Sequence, residues 1–351
     1  MIYPWVISSL IKEGLPPTKE GLSSYIERKL RNVLSYAMRN SPFYFERLGD
    51  YKEILSCYKS EFFTKFNKIP CIATEDIVRR HYEFLCVPLG EVQRGYTVET
   101  TAGEVKRIFF SQDDLLYIVE AIHHLIKGLN VDKGAKVAVL FPREHEWGVP
   151  DLIARATTKA GAVAIQVDSP KLDQQYNELS TLSPYLVIGS AQQIFYLSLH
   201  IIRERYERIS TNSVIISHGC FPYILSKKVR ETIVRAWGME PLEHFGLAET
   251  GFNVALECYS HQGLHVNEAD VYAEIIDPEN EEPLPPGEAG ELVITSLNQK
   301  AMPIIRYRTG YLAKMEEGPC FCGDELTRRL KIYSTVRESV DIFTPSTFRL
   351  F

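Results

Sequence analysis

Apolar positions change rhythm twice along the 351-residue chain. Over residues 21–40, Tyr25, Leu30, Val33, Leu34 and Met38 recur at helical spacing among Arg and Glu, which predicts an amphipathic helix. Asn40-Ser41-Pro42 stops it. The next fifty residues hold helix-like patches with breaks at Pro70 and Pro88, so residues 1–95 read as an N-terminal helical cap. From about residue 96 a β–α alternation begins. Apolar β-branched runs at 106–110, 137–141, 162–167, 186–188 and 214–216 predict strands. Amphipathic stretches at 113–127, 149–160, 172–182, 192–206 and 226–237 predict helices between them.

Short strands with continuous apolar faces, alternating with helices, imply an α/β fold with a mainly parallel sheet covered on both faces. This unit is expected over 96–257. Ligands of such sheets bind beyond the carboxyl ends of the strands. Those ends are Phe141-Pro142-Arg143, Gly189-Ser190-Ala191, Ser217-His218-Gly219 and the stretch His244-Phe245-Gly246-Leu247-Ala248-Glu249-Thr250-Gly251. From about residue 265 the pattern turns to β. Strands are predicted at 271–276 and 291–295, with Asp277-Pro278 and Pro285-Pro286-Gly287 turns between them, which gives a smaller β-rich unit over 258–330.

Composition changes this picture little. With 45% hydrophobic and 24% charged residues the chain is ordinary for a soluble protein, and a net charge of −6 gives no electrostatic footprint for nucleic acid. No apolar run reaches the roughly 18 residues of a membrane span. The N-terminus lacks the basic start of a signal peptide. An odd count of seven cysteines without a secretion signal points to reduced thiols in the cytoplasm, some of them on a metal.

Three stretches can carry chemistry. Glu99-Thr100-Thr101-Ala102-Gly103-Glu104-Val105-Lys106 is either a phosphate-wrapping loop or an exposed turn before a strand. In His244–Gly251, Glu249 suits Mg²⁺ and Phe245 suits stacking on a flat base; the alternative is a turn with a buried Phe. In Ile305-Arg306-Tyr307-Arg308-Thr309-Gly310-Tyr311, the guanidinium forks suit phosphate or carboxylate, or else are solvated on an edge strand. A separate constellation, Cys258-x6-His265 with Cys320-x-Cys322, provides three thiolates and an imidazole, a tetrahedral set suited to structural zinc. His261 competes with His265 as the fourth ligand. Cys57, Cys71 and Cys86 lack such partners and read as core fillers.

Together these stretches resemble the phenylacetate–CoA ligase branch of the adenylate-forming enzymes. Asn40-Ser41-Pro42-Phe43-Tyr44 is similar to that branch's early signature, and Glu99–Lys106 falls where the family has Ser-Gly-Thr-Thr-Gly-x-Pro-Lys. His244–Glu249 resembles Tyr-Gly-x-Thr/Ser-Glu, and Arg306–Gly310 matches Arg-Tyr-Arg-Thr-Gly. Gly263-Leu264-His265 and Cys320-Phe321-Cys322-Gly323 also have counterparts in the branch. The resemblance implies that a carboxylic acid attacks ATP to give an acyl-adenylate, which CoA then captures. It implies that Glu249, through Mg²⁺, and Arg306 are catalytic. Thr101, Gly103 and Lys106 would face the phosphates, and Gly219 and Cys220 would line the adenine pocket. Phe245 and Gly246 would stack the base, and Tyr311 would stand at the ribose. The acyl pocket is expected near Trp147, Ser190 and His218, favouring an aromatic or flat acid.

The chain departs from the family at several of these positions. Glu99 and Thr100 stand where Ser and Gly are usual, Val105 replaces Pro, and Ala248 lacks a phosphate-touching hydroxyl. Tyr311 replaces an Asp that accepts both ribose hydroxyls, which a phenol cannot do in that geometry. Residues 331–351 resemble only the hinge and start of the family's C-terminal domain, which brings its catalytic lysine. Two expectations follow. One is an impaired ligase, or one whose missing domain comes from a partner protein, with a homodimer also in keeping with the family. The other is a non-catalytic nucleotide- or acyl-binding relative acting as a complex subunit.

Overall fold

The computed structural model describes residues 4–99, 104–141, 148–217 and 227–335. Five helices form the N-terminal unit: α1 (Pro4–Lys12), α2 (Lys19–Asn40), α3 (Pro42–Arg47), α4 (Lys59–Phe66) and α5 (Thr74–Arg80). α2 starts two residues before the predicted point because Thr18 caps it, its hydroxyl accepting the Gly21 amide at 3.1 Å. Ser41 ends α2 with extended backbone and caps α3, accepting the Tyr44 amide at 3.2 Å. Pro42, at the start of α3, needs no hydrogen-bond partner there. Tyr44 is buried, donates to the Pro303 carbonyl at 2.9 Å and accepts the Ile305 amide at 3.1 Å. The Asn-Ser-Pro-Phe-Tyr signature thus bonds the helical unit to the segment that leads into Arg306.

A two-stranded antiparallel sheet follows, β1 (Val92–Glu99) against β2 (Val105–Ser111). β1 lies outside the predicted elements, although its alternation is plain: Tyr96 and Val98 are buried while Gln93, Gly95 and Thr97 are exposed. Ser111 and Asp114 cap α6 (Gln112–Gly128) reciprocally, by bonds of 3.2 and 2.8 Å.

The β–α alternation is then as predicted. It runs β3 (Lys136–Leu140), α7 (Val149–Lys159), β4 (Val163–Gln166), α8 (Leu172–Leu182), β5 (Leu186–Ser190), α9 (Ala191–Glu204), β6 (Ser213–Ser217), α10 (Lys227–Trp237) and β7 (Leu242–Phe245). These strands are parallel, in the order β4-β3-β5-β6-β7. Alternate residues of each strand serve opposite faces. Val137, Val139, Ile188 and Ile215 join the core that holds Ile122, Leu152 and Ile153 of α6 and α7. Ala138, Leu140, Val187, Val214 and Ile216 join the core that holds Leu197, Ile201, Ile233 and Trp237 of α9 and α10. Both faces of β3, β5 and β6 are therefore dry, which is why those strands read as unbroken apolar runs, whereas β4, at the sheet edge, is partly exposed.

The β-rich segment does not form a sheet of its own. β8 (Ala255–Glu257), β9 (Leu264–Val266), β10 (Val271–Ile276), β11 (Ala289–Ser296), β12 (Tyr307–Glu316) and β13 (Arg329–Thr335) continue the same eleven-stranded sheet in the order β7-β8-β9-β13-β12-β11-β10, now antiparallel. No helix among the described residues is long and apolar enough to cross a membrane.

Candidate functional site

The sheet changes from parallel to antiparallel between β7 and β8, and the connection is the stretch that begins at Gly246. The turn is tight: a Cβ at Gly246 would lie 1.8 Å from the Phe252 carbonyl oxygen, so no other residue fits without moving backbone. Gly251 has φ of 78°, in the left-handed region. Between them, Ala248–Thr250 makes one 3₁₀ turn that carries Glu249 inward, 1% exposed. Gly246→Ala is expected to destabilise the protein by about 2 kcal/mol or more through the displaced turn. Thermal unfolding of the variant checks this.

Lys106 reaches Glu249 from β2, 143 residues away in sequence, and the two make a direct ion pair. The Lys106 ammonium also lies 3.4 Å from the Tyr307 hydroxyl, which is 2.9 Å from Thr74 Oγ1 at the start of α5. Burial alone would neutralise both charges. At Lys106 it is outweighed by the Glu249 charge, and the pKa is raised. At Glu249 burial is outweighed by Lys106, and the pKa is lowered. The pair is therefore ionised through the neutral range, shielded from water at the point where the sheet changes direction.

The other expected residues divide into three groups. Thr101, Gly103, Gly219 and Cys220 lie outside the described residues, as do Trp147 and His218. Phe245 and Tyr311 come together: Phe245 is buried, and its ring meets the Tyr311 ring edge to face, centroids 5.0 Å apart at 83°. The two rings that the resemblance sets at the base and at the ribose thus pack on each other. Arg306 is the correction. It does not enter the site but turns inward with φ of 50°, 1% exposed. Its Nε donates to Glu274 at 3.3 Å and its Nη1 to the carbonyls of Asn67 and Ile69. Arg306 is a strut between the N-terminal unit and β10. Arg308 is also committed, with its Nε 2.8 Å from Glu291. Tyr307, passed over between the two arginines, is the residue of that motif that reaches the site.

Cys258, His265, Cys320 and Cys322 converge as expected, their ligand atoms all within 4.8 Å of one another. They are brought together by β13 pairing with β9, which sets Arg329 opposite His265. Cys258 Sγ is 3.6 Å from Cys320 Sγ, and His265 Nε2 is 3.5 Å from Cys322 Sγ. A tetrahedral zinc with Zn–S of about 2.3 Å and Zn–N of about 2.0 Å requires separations of roughly 3.5–3.8 Å, which these two pairs meet. His265 Nδ1 faces Thr327 Oγ1 at 2.9 Å and Asp324 at 3.4 Å, which leaves Nε2 for the sulfurs. His261, the competing ligand, is held elsewhere by Glu257 at 3.2 Å and Arg230 at 2.9 Å.

The fold is that of solved acyl-CoA ligases, and in sequence the chain is similar to phenylacetate–coenzyme A ligases. It is 27% identical to that of Pseudomonas putida over 306 residues, covering 85% of this chain and 68% of the relative. To that of Thermus thermophilus it is 25% identical over 320 residues, covering 89% and 69%. Among solved structures, 2-hydroxyisobutyryl-CoA ligase in complex with 2-HIB-AMP and CoA superposes with a TM-score of 0.78 at 20% identity, over 90% of this chain and 68% of that one. No family model matches the chain.

Proposed function

We propose that this chain activates a carboxylic acid with ATP and passes the acyl group to CoA. The acid's oxygen bonds to the α-phosphorus as the bond to the β-phosphate oxygen breaks, releasing pyrophosphate. The CoA sulfur then bonds to the acyl carbon, its proton is lost and AMP leaves. The observation that carries this reading is the buried Lys106–Glu249 pair at the turning point of the sheet. Lys106 offers a desolvated positive charge to the phosphate oxygens, on which charge builds as pyrophosphate departs. Glu249 offers hard oxygens that would hold Mg²⁺, with substrate phosphates completing its shell; the ion supplies charge neutralisation. The relatives, ligases named for an acid and coenzyme A, support an acid and CoA as substrates, and phenylacetate is the first acid to try. We also assign structural zinc to the Cys258, His265, Cys320 and Cys322 cluster, since four protein donors leave no open position for chemistry.

Turnover is expected to be low. Tyr311 offers one phenolic oxygen where a carboxylate would accept two ribose hydroxyls, and its ring is packed on Phe245. The same contact favours the second reading, a binding subunit without turnover. ATP–pyrophosphate exchange with phenylacetate separates the two. The ligase reading expects acid-dependent exchange well below about 1 per second, and exchange at or above that rate contradicts impairment. Mg·ATP binding with no exchange, whatever acid is supplied, favours the binding subunit.

A further inference from the structure

Tyr307 is 2% exposed, and its backbone is held on both sides by the segment before α5. The Ile72 amide donates to the Arg306 carbonyl at 2.8 Å, and the Arg308 amide donates to the Ile72 carbonyl at 2.9 Å. The phenol therefore projects from a fixed point. Its oxygen lies 2.9 Å from Thr74 Oγ1 and 3.4 Å from Lys106 Nζ, and it interacts with Glu249. Thr74 is not used as a helix cap: Asp76 accepts the Ala73 amide at the start of α5, which leaves the threonine hydroxyl for Tyr307.

We propose that Tyr307, anchored by Thr74, is a positioning residue that keeps Lys106 against Glu249 in the nucleotide-free protein and holds Glu249 once Lys106 turns to the phosphates. The proton inventory allows the exchange. The Tyr307 oxygen accepts from the Lys106 ammonium, and its single O–H goes to Thr74 or to Glu249. When Lys106 leaves for a phosphate, the Tyr307 O–H donates to Glu249 and Thr74 donates to Tyr307. Every buried polar group stays paired through the hand-over, so neither Glu249 nor Tyr307 is left with an unsatisfied position. By this route the N-terminal helical unit, far from the sheet in sequence, sets the geometry of the site.

The nucleotide half rests on the proposed function; the Lys106 half does not, and the test reads them separately. Lys106 acetylation by acetic anhydride is followed by peptide mass spectrometry in the nucleotide-free protein, with exposed Lys159 as internal standard. Tyr307→Phe and Thr74→Val are expected to speed Lys106 labelling about tenfold, the loss of one hydrogen bond to a charged group, while Thr74→Ser keeps the wild-type rate. Tyr307→Phe is further expected to weaken Mg·ATP binding about tenfold. A merely structural tyrosine would lower the melting temperature without separating Thr74→Ser from Thr74→Val. Unchanged Lys106 labelling in both Tyr307→Phe and Thr74→Val overturns the proposal, and Thr74→Val decides it if Tyr307→Phe does not fold. Wild-type protein that binds no Mg·ATP overturns the nucleotide reading and leaves the labelling result to decide the positioning role.

Discussion

Glu249→Ala is expected to destabilise the protein by about 3–5 kcal/mol, because it leaves the Lys106 ammonium buried without its counter-charge. Urea unfolding at neutral pH measures this. The cost is that of an orphaned charge, not the worth of the pair. Lys106→Met combined with Glu249→Leu should therefore recover most of the lost stability while losing nucleotide binding. Acid titration gives an independent check. The Glu249 carboxyl is held below its ordinary range, so its contribution is fully present above the unfolded value of about 4.3 and is lost as pH falls through the lower folded value. Lys106 is shifted upward, so its contribution is complete below the ordinary lysine value and is lost only on the alkaline side. Glu249→Gln should flatten the acid limb of the stability profile and leave the neutral region's slope unchanged. An acid limb identical to wild type would place the pair's charge elsewhere.

The second large effect concerns the metal. One zinc per chain is expected, and its removal by a strong chelator should lower the melting temperature by about 10 °C, since binding free energy of such a site is folding free energy. The loss should be felt most where β9 pairs with β13, which meet through only two residue pairs, Arg329 with His265 and Leu330 with Leu264. Cys320→Ser with Cys322→Ser should abolish stoichiometric zinc by elemental analysis. Zinc retained in that double variant, or absent from wild type, contradicts the assignment. His261→Ala serves as the control, because that ring is held by Glu257 and Arg230 and should not alter the zinc content.

Much of this architecture was legible because its causes are local. The inner parallel strands β3, β5 and β6 are dry on both faces and so carry an apolar run that period alone detects. The metal donors could be collected from distant segments because three cysteines and a histidine have few other uses together. The preference for His265 over His261 rests on spacing and resemblance, and the cluster contains His265. His265 lies in β9 opposite β13, whereas His261 sits in a turn at φ of 50°. Arg306, by contrast, misled. Its φ of 50° breaks the alternation expected of a strand, and the Glu274 that receives it comes from β10, 32 residues earlier. Tyr307 went unnoticed because its value depends on Thr74, Lys106 and Glu249 meeting at one oxygen. The continuation of one sheet through residue 258 was likewise hidden, since nothing in a strand's own sequence says whether its neighbour runs parallel or antiparallel.

Calorimetric titration of ATP with Mg²⁺ into wild-type protein and Lys106→Met tests the central claim, that the buried pair is the core of a nucleotide site. Saturable, Mg²⁺-dependent binding at one site per chain, weakened at least about tenfold in Lys106→Met, is the predicted result. No binding to the wild type, or equal affinity for both proteins, would contradict it.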